Sequence, residues 1–279
     1  MNSYAYYNGK FGKKTDISIT LSDRSIYFGD AIYDAAIGSY DRILWEKEHI
    51  SRFLNNAKRI GIKHNYTESN LSSLLREVAV KSMLDCYFIY FQMSRSLPNR
   101  IHSAEGAESS LLITIDPITI IPNPRPLNLI TVSDRRFGYC DIKTTNLLPS
   151  VLASTKAEKS GCDEAIFVKG KYVTECAKSN IAIINQGRVI THPKTNRILP
   201  GITREHLMLI CEKLNIPFIE RPFTVSEMLS ADEILVTSTT KLCRTADKIN
   251  GQRVGGGNPA ISNEICRIMF AEFENFCKV

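Results

Sequence analysis

Cys140-Asp141-Ile142-Lys143-Thr144-Thr145-Asn146-Leu147-Leu148 reads as a buried strand leading into a helix, with a lysine in its middle. A charged ammonium is costly to desolvate, so a Lys held among such residues needs a chemical reason. Covalent chemistry is one. A desolvated Lys has a lowered pKa, offers a free amine near neutral pH, and can form a Schiff base with an aldehyde. The ordinary alternative is a surface Lys whose stem lies on apolar neighbours while its head stays in water. Which reading holds depends on what the rest of the chain supplies.

Pyridoxal phosphate carries such an aldehyde, and an enzyme that uses it makes three further demands. It wants an acid facing the pyridine nitrogen, an anion site for the phosphate, and cationic or hydroxyl groups for a substrate carboxylate. Glu175 follows the strand over Lys171 to Thr174 and opens Glu175-Cys176-Ala177-Lys178-Ser179-Asn180. A carboxylate at a strand end can keep a pyridine nitrogen protonated, although taken alone it reads as a surface Glu. Ile198-Leu199-Pro200-Gly201-Ile202-Thr203-Arg204 opens a helix with no acid before Glu205. Free amides and a Thr hydroxyl at such a start suit a phosphate, and an ordinary capped helix would look similar. Val236-Thr237-Ser238-Thr239-Thr240 adds hydroxyls at a strand end, as a second phosphate cradle or as a plain turn. Gly255-Gly256-Gly257-Asn258-Pro259 lacks the Lys and Ser/Thr of a phosphate loop and is read as a turn.

Length and composition bound the rest. With 279 residues the chain holds one large core or, more in keeping with its patterning, two domains. No apolar run reaches spanning length, and Met1-Asn2-Ser3-Tyr4-Ala5-Tyr6-Tyr7 has neither a basic nor an apolar targeting region, so a cytoplasmic location without membrane association is expected. Eight cysteines without a CxxC pair suit reduced thiols, not a disulfide framework or a metal site. A net charge of +6, with Lys and Arg interspersed among acids, argues against nucleic acid and favours anionic small substrates.

The opening stretch from Tyr4 to Ile17 alternates around Asn8-Gly9, a hairpin turn. Ala31 to Ile37 is a strand, and a hairpin at Tyr40-Asp41-Arg42 returns through Ile43-Leu44-Trp45. Apolar spacing predicts helices over His49 to Ile60 and from Ser69 or Asn70 to Met83. Tyr87 to Ser94 and Ser110 to Ile115 read as strands joined by a loop bearing Arg100-Ile101-His102. Pro117, Pro122, Pro124 and Pro126 mark a linker, with a boundary near Asn123 between a smaller domain, 1–122, and a larger cofactor-binding domain, 123–279. Beyond it, Leu147 to Ser160 is a helix ended by Gly161. Hairpins follow over Lys169-Gly170 and Gln186-Gly187, then helices over Gly201 to Leu214, Thr224 to Ser230 and Asn263 to Phe276, with a strand over Glu233 to Thr237. Two-residue connections demand antiparallel neighbours, so the fold class is α+β.

Taken in order, Tyr33, His49-Ile50-Ser51-Arg52, Asp141 to Leu148, Thr174-Glu175, Gly201-Ile202-Thr203-Arg204 and Val236 to Thr240 resemble the class IV aminotransferases, the fold-type IV pyridoxal phosphate family. The resemblance spans nearly the whole chain, and Arg100-Ile101-His102 is similar to the Arg-x-His of its bacillary-type D-amino acid (D-alanine) aminotransferases. It implies a two-domain fold with pyridoxal 5'-phosphate between the domains, and a homodimer. Lys143 is implied as the Schiff-base lysine and Glu175 as the acid at the pyridine nitrogen. Arg52, Ile202, Thr203 and Thr239 are implied at the phosphate, with Ser238 beside them and Leu199 packed by the ring. Tyr33, Arg100 and His102 are implied as the carboxylate trap, the last two reaching in from the partner subunit. The family's subgroup has Glu-Gly-Ser-Ser-Ser-Asn where this chain has Glu175 to Asn180 with Cys176, Ala177 and Lys178 inside.

The activity so implied is transamination between a D-amino acid, of D-alanine or D-glutamate type, and a 2-oxo acid such as pyruvate or 2-oxoglutarate. Aminodeoxychorismate lyases and branched-chain L-amino acid aminotransferases share the fold and are the alternatives. A non-catalytic pyridoxal phosphate carrier would need only the lysine.

Overall fold

Asn8 and Gly9 both take positive φ, 45° and 90°, as a two-residue hairpin requires. In the computed structural model, which describes residues 3–121 and 125–278, this turn joins β1 (Tyr4–Tyr7) to β2 (Lys10–Lys13) at the margin of a six-stranded sheet. The chain continues through α1 (Ser25–Phe28), β3 (Ala31–Ser39), β4 (Arg42–Ile43), α2 (Glu46–Arg59), α3 (Glu68–Ser82), β5 (Cys86–Ser96) and β6 (Glu108–Pro117). The sheet order is β2-β1-β6-β5-β3-β4, and every pairing in it is antiparallel.

One face of that sheet carries the core. Tyr87, Ile89, Phe91 and Met93 alternate along β5 and are fully buried with Ile50, Phe53 and Ala57 of α2 and Leu71, Leu75 and Val78 of α3. Gly38 on β3 is fixed by this packing, since a Cβ there would meet the Tyr87 ring at 2.0 Å. Helix α3 starts at Glu68 because Thr67 and Asn70 form a reciprocal capping box, a signal that places the start just before the expected Ser69 or Asn70.

The second unit is built on a ten-stranded sheet. Its elements are β7 (Leu127–Ser133), α4 (Leu148–Lys159), β8 (Glu164–Lys169), β9 (Tyr172–Cys176), β10 (Asn180–Asn185), β11 (Arg188–Thr191), α5 (Ile202–Lys213), β12 (Phe218–Glu220), β13 (Phe223–Thr224), α6 (Val225–Leu229), β14 (Glu233–Ser238), β15 (Leu242–Ile249), β16 (Gln252–Arg253) and α7 (Pro259–Cys277). The expected hairpins are there, but β7 runs parallel to both β8 and β15, and β11 parallel to β12, so the sheet is mixed. Strands β7 and β15 have no counterpart among the elements expected from patterning. In β15, Arg244, Asp247 and Lys248 interrupt the apolar alternation, and β7 follows directly on the proline run.

The two compact units divide after Thr119, and the stretch Ile142–Asn146 belongs with the first although its chain neighbours belong with the second. The boundary expected near Asn123 lies outside the described residues. None of the eight cysteines is joined in a disulfide among the described residues. Among the described residues no helix is long and apolar enough to cross a membrane.

Candidate active site

The excursion of Ile142–Asn146 corrects the reading of its sequence. Cys140 to Leu147 does lead into a helix, α4, but it is not itself a strand. It makes one isolated bridge, Ile32 with Thr144, in which Tyr33 N donates to Lys143 O at 2.9 Å and Thr145 N to Ala31 O at 3.1 Å. The reason lies in β3: its partner β4 covers only Gly38 and Ser39, which leaves the backbone groups of Ala31 and Tyr33 for this stretch. Thr145 Oγ1 and Asn146 Nδ2 then both donate to Gly29 O, at 3.1 and 2.9 Å. Lys143 is half-buried, and its Nζ lies 4.4 Å from the centroid of the Tyr33 ring. Tyr33 in turn stacks on Tyr90 at 5.2 Å.

Successive strand residues face opposite ways, so Asp34 points to the helix side, where Tyr33 does not. Fully buried, Asp34 accepts from His49 Nδ1 at 2.8 Å and from Arg52 Nε and Nη2 at 2.8 and 2.7 Å. Burial opposes the charge, but Arg52 and His49 outweigh it and hold the Asp34 carboxyl well below the usual range. Burial pushes His49 down, against the pull of Asp34, so the imidazole is held neutral. Its Nε2 is buried with no hydrogen-bond partner among the described residues. Arg52 is thereby held by Asp34 through its Nε and Nη2.

The burial of Asp34 and His49 makes the stability of the fold depend on pH. Both folded-state pKa values lie below the unfolded ones, so their contributions are present at neutral pH and are lost as pH falls. The His49 part begins to go below about pH 6.5 and the Asp34 part below about pH 3.9. Thermal midpoints measured against pH should therefore fall from about pH 6.5 downward, and His49→Gln should flatten the first part of that limb. An unchanged slope in the variant would place the effect elsewhere.

Arg100 and His102 lie on the exposed loop after β5. The Arg100 guanidinium sits 4.9 Å from the Phe28 ring, and the His102 ring is 5.3 Å from the same ring. Arg24, stacked on Phe28 at 4.7 Å, donates to the carbonyls of Ile101, His102 and Ser103 and so pins the loop backbone.

In the second unit the expected groups gather around Asn180. Glu175 lies within β9, not after it, and is buried. Its Oε2 accepts from Asn180 Nδ2 and from the Leu199 amide, both at 3.0 Å, while Asn180 Nδ2 also donates to Leu199 O at 2.9 Å. Gly201 closes this arrangement, since a Cβ there would meet Asn180 Oδ1 at 2.1 Å. It is also the N-cap of α5, with no side-chain cap bond and no acid in the first turn but Glu205. The amides of Ile202 and Thr203 thus open the helix with no side-chain cap among the described residues, a donor set that fits a phosphate dianion. Asn180 pairs with Thr237 across β10 and β14, which brings the Ser238-Thr239 turn to the same strand ends. Arg204 is not part of this set. Buried, it donates to His192 O at 2.9 Å and pairs with Glu220.

The departure within Glu175 to Asn180 is anchored from behind. Fully buried Glu164 accepts from Lys178 N at 2.6 Å, Ser179 Oγ at 2.9 Å and Lys241 Nζ at 2.6 Å, while the Lys178 side chain is exposed. Of the expected site residues, Tyr33 and Lys143 meet in the first unit and Glu175 and Leu199 adjoin the Ile202-Thr203 helix start in the second, whereas Arg52 lies with Asp34 on the helix side of β3 and Arg100 and His102 sit against Phe28. Patterning did not pick out Asp34, Asp134 or Arg136. The last two pair with each other and, through Arg136, with Glu175. In the sequence they are a short charged run indistinguishable from a solvated turn.

Residues 32–249 match the family described as amino-transferase class IV. The chain is 37% identical to the D-alanine aminotransferase of Staphylococcus haemolyticus over 259 residues, 90% of this chain and 91% of that one. Its fold is similar to the branched-chain aminotransferase of the archaeon Thermoproteus uzoniensis, with a TM-score of 0.89 at 26% identity, covering 98% of this chain and 96% of the other. It is also similar to a T.th. branched-chain amino acid aminotransferase complexed with N-(5'-phosphopyridoxyl)-L-glutamate, with a TM-score of 0.90 at 19% identity, covering 98% and 94%.

Proposed function

The chain belongs to the class IV aminotransferases, and on that premise we propose that it moves the amino group of a D-amino acid, of D-alanine or D-glutamate type, to a 2-oxo acid such as pyruvate or 2-oxoglutarate. Its cofactor is pyridoxal 5'-phosphate. When bound, that group supplies an aldehyde for a lysine amine and a ring that takes up the electrons of the broken α-C–H bond. Lys143 provides the amine and moves the α-proton through its Nζ. Glu175 holds a proton on the ring nitrogen, and Leu199 packs by the ring. Arg52, the amides of Ile202 and Thr203, and the hydroxyls of Ser238 and Thr239 bind the phosphate.

Tyr33, Arg100 and His102 take the substrate α-carboxylate. In our reading the enzyme is a cytoplasmic homodimer, with Arg100 and His102 serving the partner's site. The observation that carries the D-amino acid reading is the presence of this pair, held against one ring, in a chain similar along nine-tenths of its length to a D-alanine aminotransferase. A panel of D- and L-amino donors against pyruvate and 2-oxoglutarate tests it. Turnover with D-alanine or D-glutamate is expected, and preference for branched L-donors would overturn the reading in favour of the activity of the structural neighbours.

Arg100→Ala should raise the apparent Michaelis constant for donor and acceptor alike, because every substrate shares the α-carboxylate. A charge-assisted hydrogen bond is worth roughly 1.5 to 3 kcal/mol, which corresponds to about a ten- to hundredfold loss in kcat/KM. The cofactor absorbance should not change. Parent-like use of D-alanine by the variant would remove Arg100 from the trap.

A further inference from the structure

We propose that Asp134 and Arg136 act as a positioning pair behind Glu175, Arg136 fixing the orientation and ionisation of that acid and Asp134 preserving its net negative charge toward the ring nitrogen. The proposal rests on the reading of Glu175 as the acid at that nitrogen.

Asp134 lies just past the end of β7, where its amide donates to Val168 O at 2.8 Å, and its carboxylate is buried. One oxygen accepts from Arg136 N and Nε at 3.1 and 3.0 Å. The other accepts from Arg136 Nη2 at 2.8 Å and from Thr174 Oγ1 at 2.9 Å. The guanidinium lies 4.4 Å from the Phe167 ring, donates to Arg197 O at 3.0 Å, and turns Nη1 onto Glu175 Oε1. With Asn180 and Leu199 on Oε2, Glu175 is gripped at both oxygens from three separate chain segments. Such a fork leaves the carboxylate little rotational freedom.

Charge decides the rest. Asp134 and Glu175 each carry one negative charge and Arg136 one positive charge, so the cluster is left with one net negative charge. Arg136, bound by both acids despite its burial, remains a cation. A cation on Glu175 lowers the carboxylate's affinity for a proton, so a proton shared with a ring nitrogen stays on the nitrogen. The same cation would cancel the field of Glu175 at that nitrogen. Asp134 supplies the compensating charge, and an isolated Arg–Glu pair could not meet both requirements.

The test uses holoenzyme loaded with pyridoxal phosphate labelled at the ring nitrogen, whose NMR resonance reports whether that nitrogen is protonated. Asp134→Asn keeps the shape and removes the charge. It is expected to move the resonance toward the unprotonated position and to lower kcat about tenfold, leaving KM within about threefold of the parent. Asp134→Glu should restore the protonated signal. Glu175→Gln serves as the control for the underlying reading. A resonance unmoved by Glu175→Gln overturns that reading, whereas one moved by Glu175→Gln but not by Asp134→Asn overturns only the present inference. Should Asp134→Asn fail to fold, Arg136→Lys carries the test, because it keeps the charge and loses the fork. A drop in kcat of about fivefold or more with an unshifted resonance supports the proposal, and a parent-like kcat overturns it.

Discussion

Replacing Lys143 by alanine is expected to abolish transamination, with a loss in turnover of at least about a thousandfold. The size follows from two roles resting on one amine, covalent capture of the aldehyde and transfer of the α-proton. Folding should survive, because this stretch is held to β3 through backbone groups. The Lys143 carbonyl and the Thr145 amide make the bridge, and the lysine side chain takes no part in it. The Lys143→Ala protein should thus melt near the parent, lose the yellow absorbance of covalently held cofactor, and retain some pyridoxal phosphate through its phosphate contacts. A borohydride-reducible lysine adduct together with full turnover in the variant would show that another lysine holds the aldehyde.

Glu175→Gln should keep the cofactor and lose turnover by about a hundredfold or more, equivalent to about 2.7 kcal/mol in the barrier. An amide is isosteric but cannot keep a pyridine nitrogen protonated while negative charge develops in the ring. It also misfits its surroundings. The Asn180 amide and the Leu199 N–H both donate to Oε2 while Arg136 donates to Oε1, so a Gln must turn its NH2 toward a donor on one side or the other. Phosphate binding is assigned to other residues and should be spared. Turnover within a few-fold of the parent would place Glu175 away from the ring.

Sequence alone determined most of the first sheet and the identity of the family. The Asn8-Gly9 turn, the apolar alternation of β5 and the helical spacing of Ile50, Phe53 and Ala57 are local signals, each set by backbone sterics or by a single buried face. The family, and with it the cofactor, was legible for a similar reason, since the stretches around Lys143, Glu175 and Gly201 are short motifs in a fixed order. Strand β15 was not legible, because its charged residues obscure the alternation, and the parallel pairing of β7 with β8 and β15 cannot be read from hairpin turns.

Only the tertiary structure decided what surrounds those motifs. It placed Lys143 on an irregular stretch against Tyr33, where the sequence suggested a strand, because β4 leaves part of one edge of β3 open. It joined Asp34 to His49 and Arg52, and Asp134 and Arg136 to Glu175, over separations of up to 41 residues, as between Asp134 and Glu175. A buried ion needs its partner within hydrogen-bond reach in space, and nothing in that requirement constrains how far apart the two stand along the chain.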